Sequence, residues 1–236
     1  MLYCKNIKNQ NIVLDLFPFE AIVVGSGSTG GMAALTLAQQ GIKVLILEAG
    51  PQITRQEAQS SEPKDTLNRI SSLISKKHNN QIQHPGYWKN NPNLYANEKL
   101  YPYINPKNKP FIWTQGKQLG GRSLTWGGIT LRLAPSDFNS SLDDGFGPNW
   151  PITYDDLSMH YDYIENFNGI YGKKDNIKQV PDGNYIGEIS LTNSEKYFGD
   201  QIKSKLNYPF IQSRGFDRNS SVCLLYTSPS PRDSRK

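Results

Sequence analysis

The feature that most constrains the fold is a glycine-spaced turn between a short strand and a helix near the N-terminus. Residues 21–24, AIVV, are a β-branched run typical of a buried strand, and the turn GSGSTG follows at once at 25–30. An apolar stretch over 32–40 predicts a helix that ends at Gly41, and 42–47 predicts a second strand. Such an order within about 30 residues makes a βαβ unit with parallel strands. We therefore expect an α/β fold with a Rossmann-like beginning.

Each glycine of this turn has a steric reason. Gly25 permits the sharp turn, Gly27 lets the backbone approach a pyrophosphate, and Gly30 lets helix and strand pack closely. Ser28 and Thr29 open the helix, whose free N–H groups and partial positive charge favour phosphate. The turn therefore predicts a binding site for an adenine dinucleotide, the alternative being a glycine-rich turn that holds no ligand.

An acidic residue stands at the end of the second strand. Glu48 lies where a carboxylate can accept both hydroxyls of an adenosine ribose, and it would repel a 2′-phosphate. NADP is therefore disfavoured. NAD and FAD share the ADP half of the molecule, so this motif by itself does not distinguish between them.

A second glycine-rich segment, GKQLGGRSLTWGG, occupies residues 116–128. Taken alone it could be a turn between two strand-like runs, at 111–113 and 130–133. It lies far from the first glycine motif in the sequence, so it is a separate feature that can help to distinguish NAD from FAD.

Two further helices and a long loop are predicted. One helix carries an apolar stripe that indicates ordinary core packing, formed by Leu67, Ile70, Leu73 and Ile74. The other begins after Thr153, with Asp156 in the capping-box position, and runs to about 167 before Gly169. Residues 78–110 predict a long ordered loop or lid that aromatic side chains anchor on the core.

The chain resembles the glucose-methanol-choline (GMC) flavin oxidoreductases over about residues 20 to 190. The resemblance rests on AIVVGSGSTGG with LEAG at 21–50, on the segment 116–128, and on NWPITYDDL at 149–157. It implies FAD on a Rossmann-like domain and two groups of cofactor contacts. Near the pyrophosphate and ribityl chain we expect Gly120, Gly121 and Ser123, and near the isoalloxazine Thr125, Trp126, Gly127 and Gly128.

The resemblance also bears on how FAD is held and on the reaction. Sugar-oxidising members that resemble pyranose oxidases have a flavin-linked histidine at the position of Thr125, and a threonine cannot form that bond, so we predict noncovalent FAD. The family implies hydride transfer to flavin N5 while a histidine takes the hydroxyl proton. That base is expected beyond this chain, so the catalytic residues are unknown and none of His78, His84 and His160 is assigned.

Composition excludes several classes of function. The chain has 36% hydrophobic and 20% charged residues and no long apolar run, which indicates a soluble protein without a membrane span. Its net charge of +5 is spread out, so no nucleic-acid partner is predicted. Cys4 and Cys223 lack metal-ligand spacing, which predicts no metal, and the lack of a secretory signal favours the cytoplasm.

The C-terminal end is expected to be foreign to the fold. Residues 223–233 resemble the in-frame translation of a transposon-end sequencing adaptor. We therefore expect a truncated chain in four parts: a polar N-terminal extension at 1–17, an FAD-binding domain at 18–150 with a loop or lid insertion at about 52–110, the start of an α+β substrate domain at 151–222, and a non-native tail at 223–236.

These observations lead to one expected function and two alternatives. We expect an FAD-dependent oxidoreductase that acts on the CH–OH group of a small-molecule alcohol, sugar or polyol, present here as an inactive fragment. The electron acceptor is left open among oxygen, a quinone and a cytochrome. The alternatives are a non-catalytic dinucleotide-binding module and an NAD-dependent dehydrogenase, and the segment at 116–128 argues against the latter.

Overall fold

The computed structural model describes residues 2–6, 18–54, 57, 62–89, 91–109, 111–188 and 190–216. The chain divides into two compact units, and the division falls between Trp126 and Gly127. The expected domain boundary at residue 150 therefore lies inside the second unit. The expected tail at 223–236 lies outside the described residues.

The first unit contains a parallel three-stranded sheet. Its elements are strand β1 (Leu2–Asn6), strand β2 (Ala21–Val24), helix α1 (Ser28–Gln39) and strand β3 (Val44–Glu48). The strand order is β1-β3-β2, and β3 pairs in parallel with both neighbours. The predicted βαβ unit is present, with α1 connecting β2 to β3.

Strand β1 corrects the expectation that residues 1–17 form only a polar extension. Its residues pair with the whole of β3, Leu2 opposite Val44 and Asn6 opposite Glu48. The physical reason is that β3 is central, and its backbone N–H and C=O groups need partners on both edges. The strand was not predicted because residues 2–6 are a short run with little periodicity, and the sequence does not show that β3 needs a second neighbour.

A small apolar core joins α1 to the sheet. Ala34, Val44 and Ile46 are buried, and Val23 and Leu37 pack against them. The small Ala34 side chain is fully buried, which lets the helix lie close to the strands. This packing fixes the start of α1 against the end of β2, where the glycine turn lies.

Helix α2 (Glu62–Ile74) has the opposite orientation from the one predicted. The residues of its apolar stripe are exposed by 48% to 80%: Leu67, Ile70, Leu73 and Ile74. Its buried side chains are Asp65, Arg69 and Ser72, and Ser72 hydrogen-bonds Tyr87 in the following loop. The prediction of plain core packing is wrong because polar partners in the loop, rather than apolar surface, decide which side of the helix is buried.

The loop after α2 contains three short 3₁₀ helices, Gln81–Gln83, Pro85–Lys89 and Pro92–Leu94. Tyr87 is fully buried, and its hydroxyl lies 3.0 Å from Nδ1 of His78. The Tyr95 hydroxyl donates to the carbonyl of Gly86 at 3.1 Å. These tyrosines anchor the loop, whereas Trp88 and Tyr101 are 49% and 41% exposed.

The second unit contains helices α3 (Ser140–Asp144), α4 (Tyr154–Asn168) and α5 (Asn193–Leu206) and an antiparallel pair of short strands, β4 (Ile170–Tyr171) and β5 (Gly215–Phe216). Helix α4 begins as predicted, since Thr153 and Asp156 form a capping box, and it ends at Gly169 with φ 65°. None of the described helices is long and apolar enough to cross a membrane.

The strand-like runs at 111–113 and 130–133 are not strands. Only an isolated bridge from Ile129 to Gly215 and a bond from the Thr130 N–H to the Arg214 carbonyl, 2.9 Å long, place the second run beside β5. The first run is three apolar residues and the second alternates over four, so both are short for strands, which usually have about 5–6 residues.

A buried ion pair holds α4 to the segment before it. Arg132 donates from Nε and Nη2 to the two carboxylate oxygens of Glu165, at 2.8 and 2.5 Å. Asp162 and the hydroxyl of Tyr154 accept further bonds, and the N–H of Asn184 donates to Glu165 at 2.6 Å. The hydrogen bonds from Arg132 raise its pKa above the ordinary value. The bond to Glu165 has the largest effect, and those to Asp162 and Tyr154 add to it.

Candidate nucleotide-binding site

The first glycine turn is held tightly between β2 and α1. Gly25 has φ +93°, a conformation that residues with a side chain rarely adopt, and its N–H donates to the Leu47 carbonyl at 2.8 Å. A Cβ on Gly30 would run into the carbonyl of Gly25 and lie 3.3 Å from Cγ1 of Val23. The structure therefore gives these two glycines the turning and packing roles that the sequence predicts.

Gly27 lies at the N-terminus of α1 and faces open space. A Cβ there would have no atom within 4 Å, and Gly27 caps the helix without a side-chain hydrogen bond. Ser28 and Thr29 follow in the exposed first turn, and within helix α1 that turn contains no acidic residue. Open space at a helix N-terminus without a side-chain cap suits a pyrophosphate, so this part of the structure fits a dinucleotide.

Glu48 lies at the end of β3 and is 9% exposed. One carboxylate oxygen accepts the N–H of Ser26 at 2.9 Å and its hydroxyl at 2.5 Å, and the other accepts the N–H of Gly50 at 2.6 Å. Burial raises the pKa of Glu48, but the bonds from Ser26 and Gly50 together outweigh it, so the pKa lies below its ordinary value. The side chain is therefore a carboxylate at neutral pH.

The acceptor capacity of Glu48 bears on its expected role. An ionised carboxylate offers about four lone-pair positions. Three donors from Ser26 and Gly50 already occupy positions in this structure. Ala49 adds a further backbone hydrogen bond, so little acceptor capacity is left, and a ribose hydroxyl requires one of these donors to turn away.

The structure brings the second glycine segment against the first. The Gly120 N–H donates to the Ser26 hydroxyl oxygen at 2.9 Å, and a Cβ on Gly121 would lie 3.4 Å from Cα of Gly27. The Ser123 hydroxyl donates to the Gly120 carbonyl at 2.5 Å and closes the short helix Gly121–Leu124. Five of the predicted cofactor residues, with Glu48 beside them, thus meet in one place: Gly25, Gly27, Gly30, Gly120 and Gly121.

The residues expected near the isoalloxazine are arranged differently. The Thr125 hydroxyl donates to the Arg122 carbonyl at 3.2 Å, and Trp126 is 36% exposed at the end of the first unit. Gly127 and Gly128 belong to the second unit, where the Gly128 carbonyl accepts the N–H of Phe216 at 3.2 Å. The structure therefore groups only Thr125 and Trp126 with the first unit.

A cavity of ≈ 70 Å³ adjoins the second glycine segment. Its lining includes His84, Tyr95, Arg122 and Thr125, so it lies between the loop after α2 and the segment 116–126. His84 uses Nδ1 to accept the N–H of Gly86 at 3.0 Å, which places any ring proton on Nε2. The loop thus contributes to the surroundings of Thr125.

Three residues of the site were missed by the sequence reasoning. Ser26 was treated as a spacer within the first motif, although its hydroxyl contacts both Glu48 and Gly120. Gly50 belongs to the LEAG motif, and a Cβ there would lie 2.5 Å from Cα of Gln118. Gln118 is 1% exposed and donates from its amide to the Gly121 carbonyl at 2.9 Å. Of the three, only Gly50 could have been found from the sequence, because it belongs to the LEAG motif that contains Glu48.

Comparison with known proteins agrees with this geometry. The FAD binding domain family model matches residues 20–88, which include the first glycine turn and Glu48. A stretch of 46 residues, 20% of this chain, is 48% identical to 7% of a GMC-type oxidoreductase of Mycobacterium tuberculosis (strain ATCC 25618 / H37Rv) that is itself uncharacterised. The chain is related to the GMC-type FAD-dependent oxidoreductases. The recognition made from the motifs is thereby confirmed, as is FAD as the cofactor.

Longer similarities involve characterised enzymes. The fructose dehydrogenase large subunit of Gluconobacter japonicus is 24% identical over 215 residues, 86% of this chain and 38% of that protein. The 2-methyl-1,2-propanediol dehydrogenase of Mycolicibacterium austroafricanum is 27% identical over 155 residues, 65% of this chain and 25% of that protein. The GMC-related chain thus spans about a quarter to two fifths of these relatives.

One solved structure is also similar. Pyridoxine 4-oxidase from Mesorbium loti is 19% identical, with a TM-score of 0.36, over 61% of this chain and 24% of that chain.

Proposed function

We propose that this chain is the FAD-binding part of an oxidoreductase that oxidises the CH–OH group of a small alcohol, sugar or polyol. The observation that carries the proposal is the meeting of two distant glycine segments beside Glu48, through the bond from Gly120 to the Ser26 hydroxyl. The relatives named for fructose and for a propanediol support this class of substrate. The bound flavin would supply the hydride acceptor, at N5.

The residues of the first unit have defined tasks in this proposal. The N–H groups of Ser28 and Thr29 and the positive end of α1 hold the pyrophosphate. Glu48 accepts a ribose hydroxyl and disfavours a 2′-phosphate by charge repulsion. Gly120, Gly121 and Ser123 line the pyrophosphate and ribityl region, and Thr125 to Gly128 are proposed to lie near the isoalloxazine.

FAD is proposed to be held without a covalent bond. Thr125 offers a hydroxyl, which donates to the Arg122 carbonyl at 3.2 Å, and a hydroxyl is a poor partner for a flavin linkage. Acid precipitation of the flavin-loaded protein tests this point. The yellow flavin is expected in the supernatant, and a pellet that keeps its colour after washing would refute noncovalent binding.

The catalytic base is proposed to lie outside this chain. His78 is buried against Tyr87, and His160 lies on the surface of α4. His84 lines the cavity beside Thr125, but its Nδ1 is occupied by the N–H of Gly86, and none of the three is assigned as the base. The fragment character, the substrate domain from 151 and the cytoplasmic location stay predictions. Sequencing the gene past Val222 tests the first two, and a downstream histidine is the expected finding.

Binding of FAD tests the proposal directly. The full chain, and the complete protein where the gene encodes a longer one, is titrated with FAD while flavin fluorescence is followed. Glu48→Gln is expected to weaken binding about tenfold, the usual effect of losing a charged hydrogen-bond acceptor. The matched control is Glu188→Gln, which changes an exposed carboxylate of the second unit. Equal affinities for all three proteins would refute the role of Glu48, and no binding to any would refute the proposal.

A further inference from the structure

The hydroxyl of Ser26 joins the two glycine segments. Its oxygen lies 2.5 Å from a carboxylate oxygen of Glu48 and 2.9 Å from the backbone nitrogen of Gly120. Ser26 and Gly120 are 94 residues apart in the chain. One side chain of the first motif therefore contacts both the carboxylate after β3 and the start of the second motif.

The direction of each bond follows from the chemistry of the groups. Glu48 is ionised and can only accept, so the single hydroxyl proton of Ser26 points to it. The hydroxyl oxygen then accepts the N–H of Gly120. The result is a chain of donors from Gly120 through Ser26 to Glu48, and such chains strengthen each member because each bond polarises the next.

Close backbone packing encloses this chain of bonds. A Cβ on Gly121 would lie 3.4 Å from Cα of Gly27, and one on Gly50 would lie 2.5 Å from Cα of Gln118. The second segment thus comes to backbone contact both with the first glycine turn, at Gly27, and with the residues after Glu48, at Gly50. In such a place the loss of the hydroxyl leaves the Gly120 N–H without its acceptor and removes one of the donors to Glu48.

We propose that Ser26 is a positioning residue that couples the ADP half of the FAD site to the half that receives the ribityl chain and flavin. The inference rests on the proposed function, in which Glu48 serves the ribose and Gly120 to Ser123 serve the pyrophosphate and ribityl region. In this proposal Ser26 acts through Glu48 and Gly120 rather than by contact with the cofactor. It fixes where Gly120 stands relative to Glu48.

The coupling predicts different losses of affinity for ADP and FAD, whereas simple stabilisation of the turn predicts equal losses. ADP occupies the ribose and pyrophosphate part of the site and lacks the ribityl chain and flavin, whereas FAD occupies the whole site. Loss of the Ser26 hydroxyl should therefore weaken FAD more than ADP, while loss of the Glu48 charge should weaken both ligands by the same factor.

The test compares ADP and FAD binding by isothermal titration in the full chain, or in the complete protein where the gene encodes a longer one. Ser26→Ala is expected to weaken FAD about 10-fold or more and ADP about threefold or less. Ser26→Thr keeps a hydroxyl and should restore much of the difference. Ser71→Ala, on the exposed surface of α2, is the control for serine removal, and thermal unfolding of each apoprotein shows that the variants fold.

The outcomes separate this inference from the proposed function. Equal losses for ADP and FAD in Ser26→Ala, or no loss in either, would overturn the coupling while Glu48→Gln still weakens both ligands. If Ser26→Ala does not fold, the same ratio is measured in Ser26→Cys, whose thiol is a poorer donor and acceptor, and equal losses there overturn the coupling as well. A wild-type protein that binds ADP and FAD equally weakly overturns the proposed function.

Discussion

Two buried carboxylates, one in each unit, are held in opposite ways. Glu48 is 9% exposed and accepts only uncharged donors, the N–H and hydroxyl of Ser26 and the N–H of Gly50. Glu165 is 8% exposed and accepts two bonds from the guanidinium of Arg132. The first carboxylate keeps its net charge, and the second is neutralised by its partner.

The difference separates a binding group from a structural one. A buried charge is costly unless it is paired or well hydrogen-bonded, so each arrangement has to compensate that cost. The pair in the second unit does so with an opposite charge, and a Cβ on Gly183 would lie 2.5 Å from Glu165, which leaves no space for a ligand on that side. Glu48 relies on neutral donors alone, which a sugar hydroxyl can replace without separating an ion pair.

The largest effect is expected when the ion pair between Glu165 and Arg132 is broken. Glu165→Gln leaves the buried Arg132 without a full counter-charge, which typically costs about 3–5 kcal/mol in the free energy of unfolding. Urea unfolding followed by circular dichroism measures the loss. Asp162→Asn is the matched variant, because Asp162 also bonds Arg132 but its side chain is 55% exposed, so a much smaller loss is expected.

That prediction has a clear contrary result. Equal small losses in Glu165→Gln and Asp162→Asn would mean that the buried pair contributes no more than the exposed one. The distinction between a neutralised structural carboxylate and a charged binding carboxylate would then have no energetic basis in this molecule.

A second pair of variants sharpens the contrast between packing and binding inside the first unit. Gly30→Ala drives a Cβ into the Gly25 carbonyl, so we expect a loss of about 3 kcal/mol in unfolding free energy together with loss of FAD. Gly27→Ala meets no atom within 4 Å and should cost about 1 kcal/mol through the poorer N-cap, yet still weaken FAD. Thermal unfolding and flavin titration measure both quantities. Gly27→Ala with unchanged FAD affinity would mean that the open space there is not the pyrophosphate site.

The sequence predicted those parts of the molecule whose physics is local. The βαβ unit follows from a branched strand, a glycine turn and an alanine-rich helix, and α4 follows from the capping box of Thr153 and Asp156. Strand β1 was missed because its only reason to form is the free edge of β3. The Ser26 bond to Gly120 was missed because it joins residues 94 apart, and no spacing rule relates two such positions.

The predicted orientation of helix α2 was wrong for a related reason. A substitution in this helix has the smallest expected effect on the unfolding free energy. An apolar stripe predicts the buried side only when nothing else competes, and here the buried residues are the polar Asp65, Arg69 and Ser72. Ser72 hydrogen-bonds Tyr87, and Arg69 interacts electrostatically with it. If buried polar groups rather than the stripe hold this helix, Ile74→Lys should change the unfolding free energy by less than about 0.5 kcal/mol, since Ile74 is 80% exposed. Tyr87→Phe, which removes the hydroxyl that lies 3.0 Å from Nδ1 of His78, should cost about 1 kcal/mol. The reverse order of these two losses in urea unfolding would show that the stripe is buried after all and that the sequence pattern was the better guide.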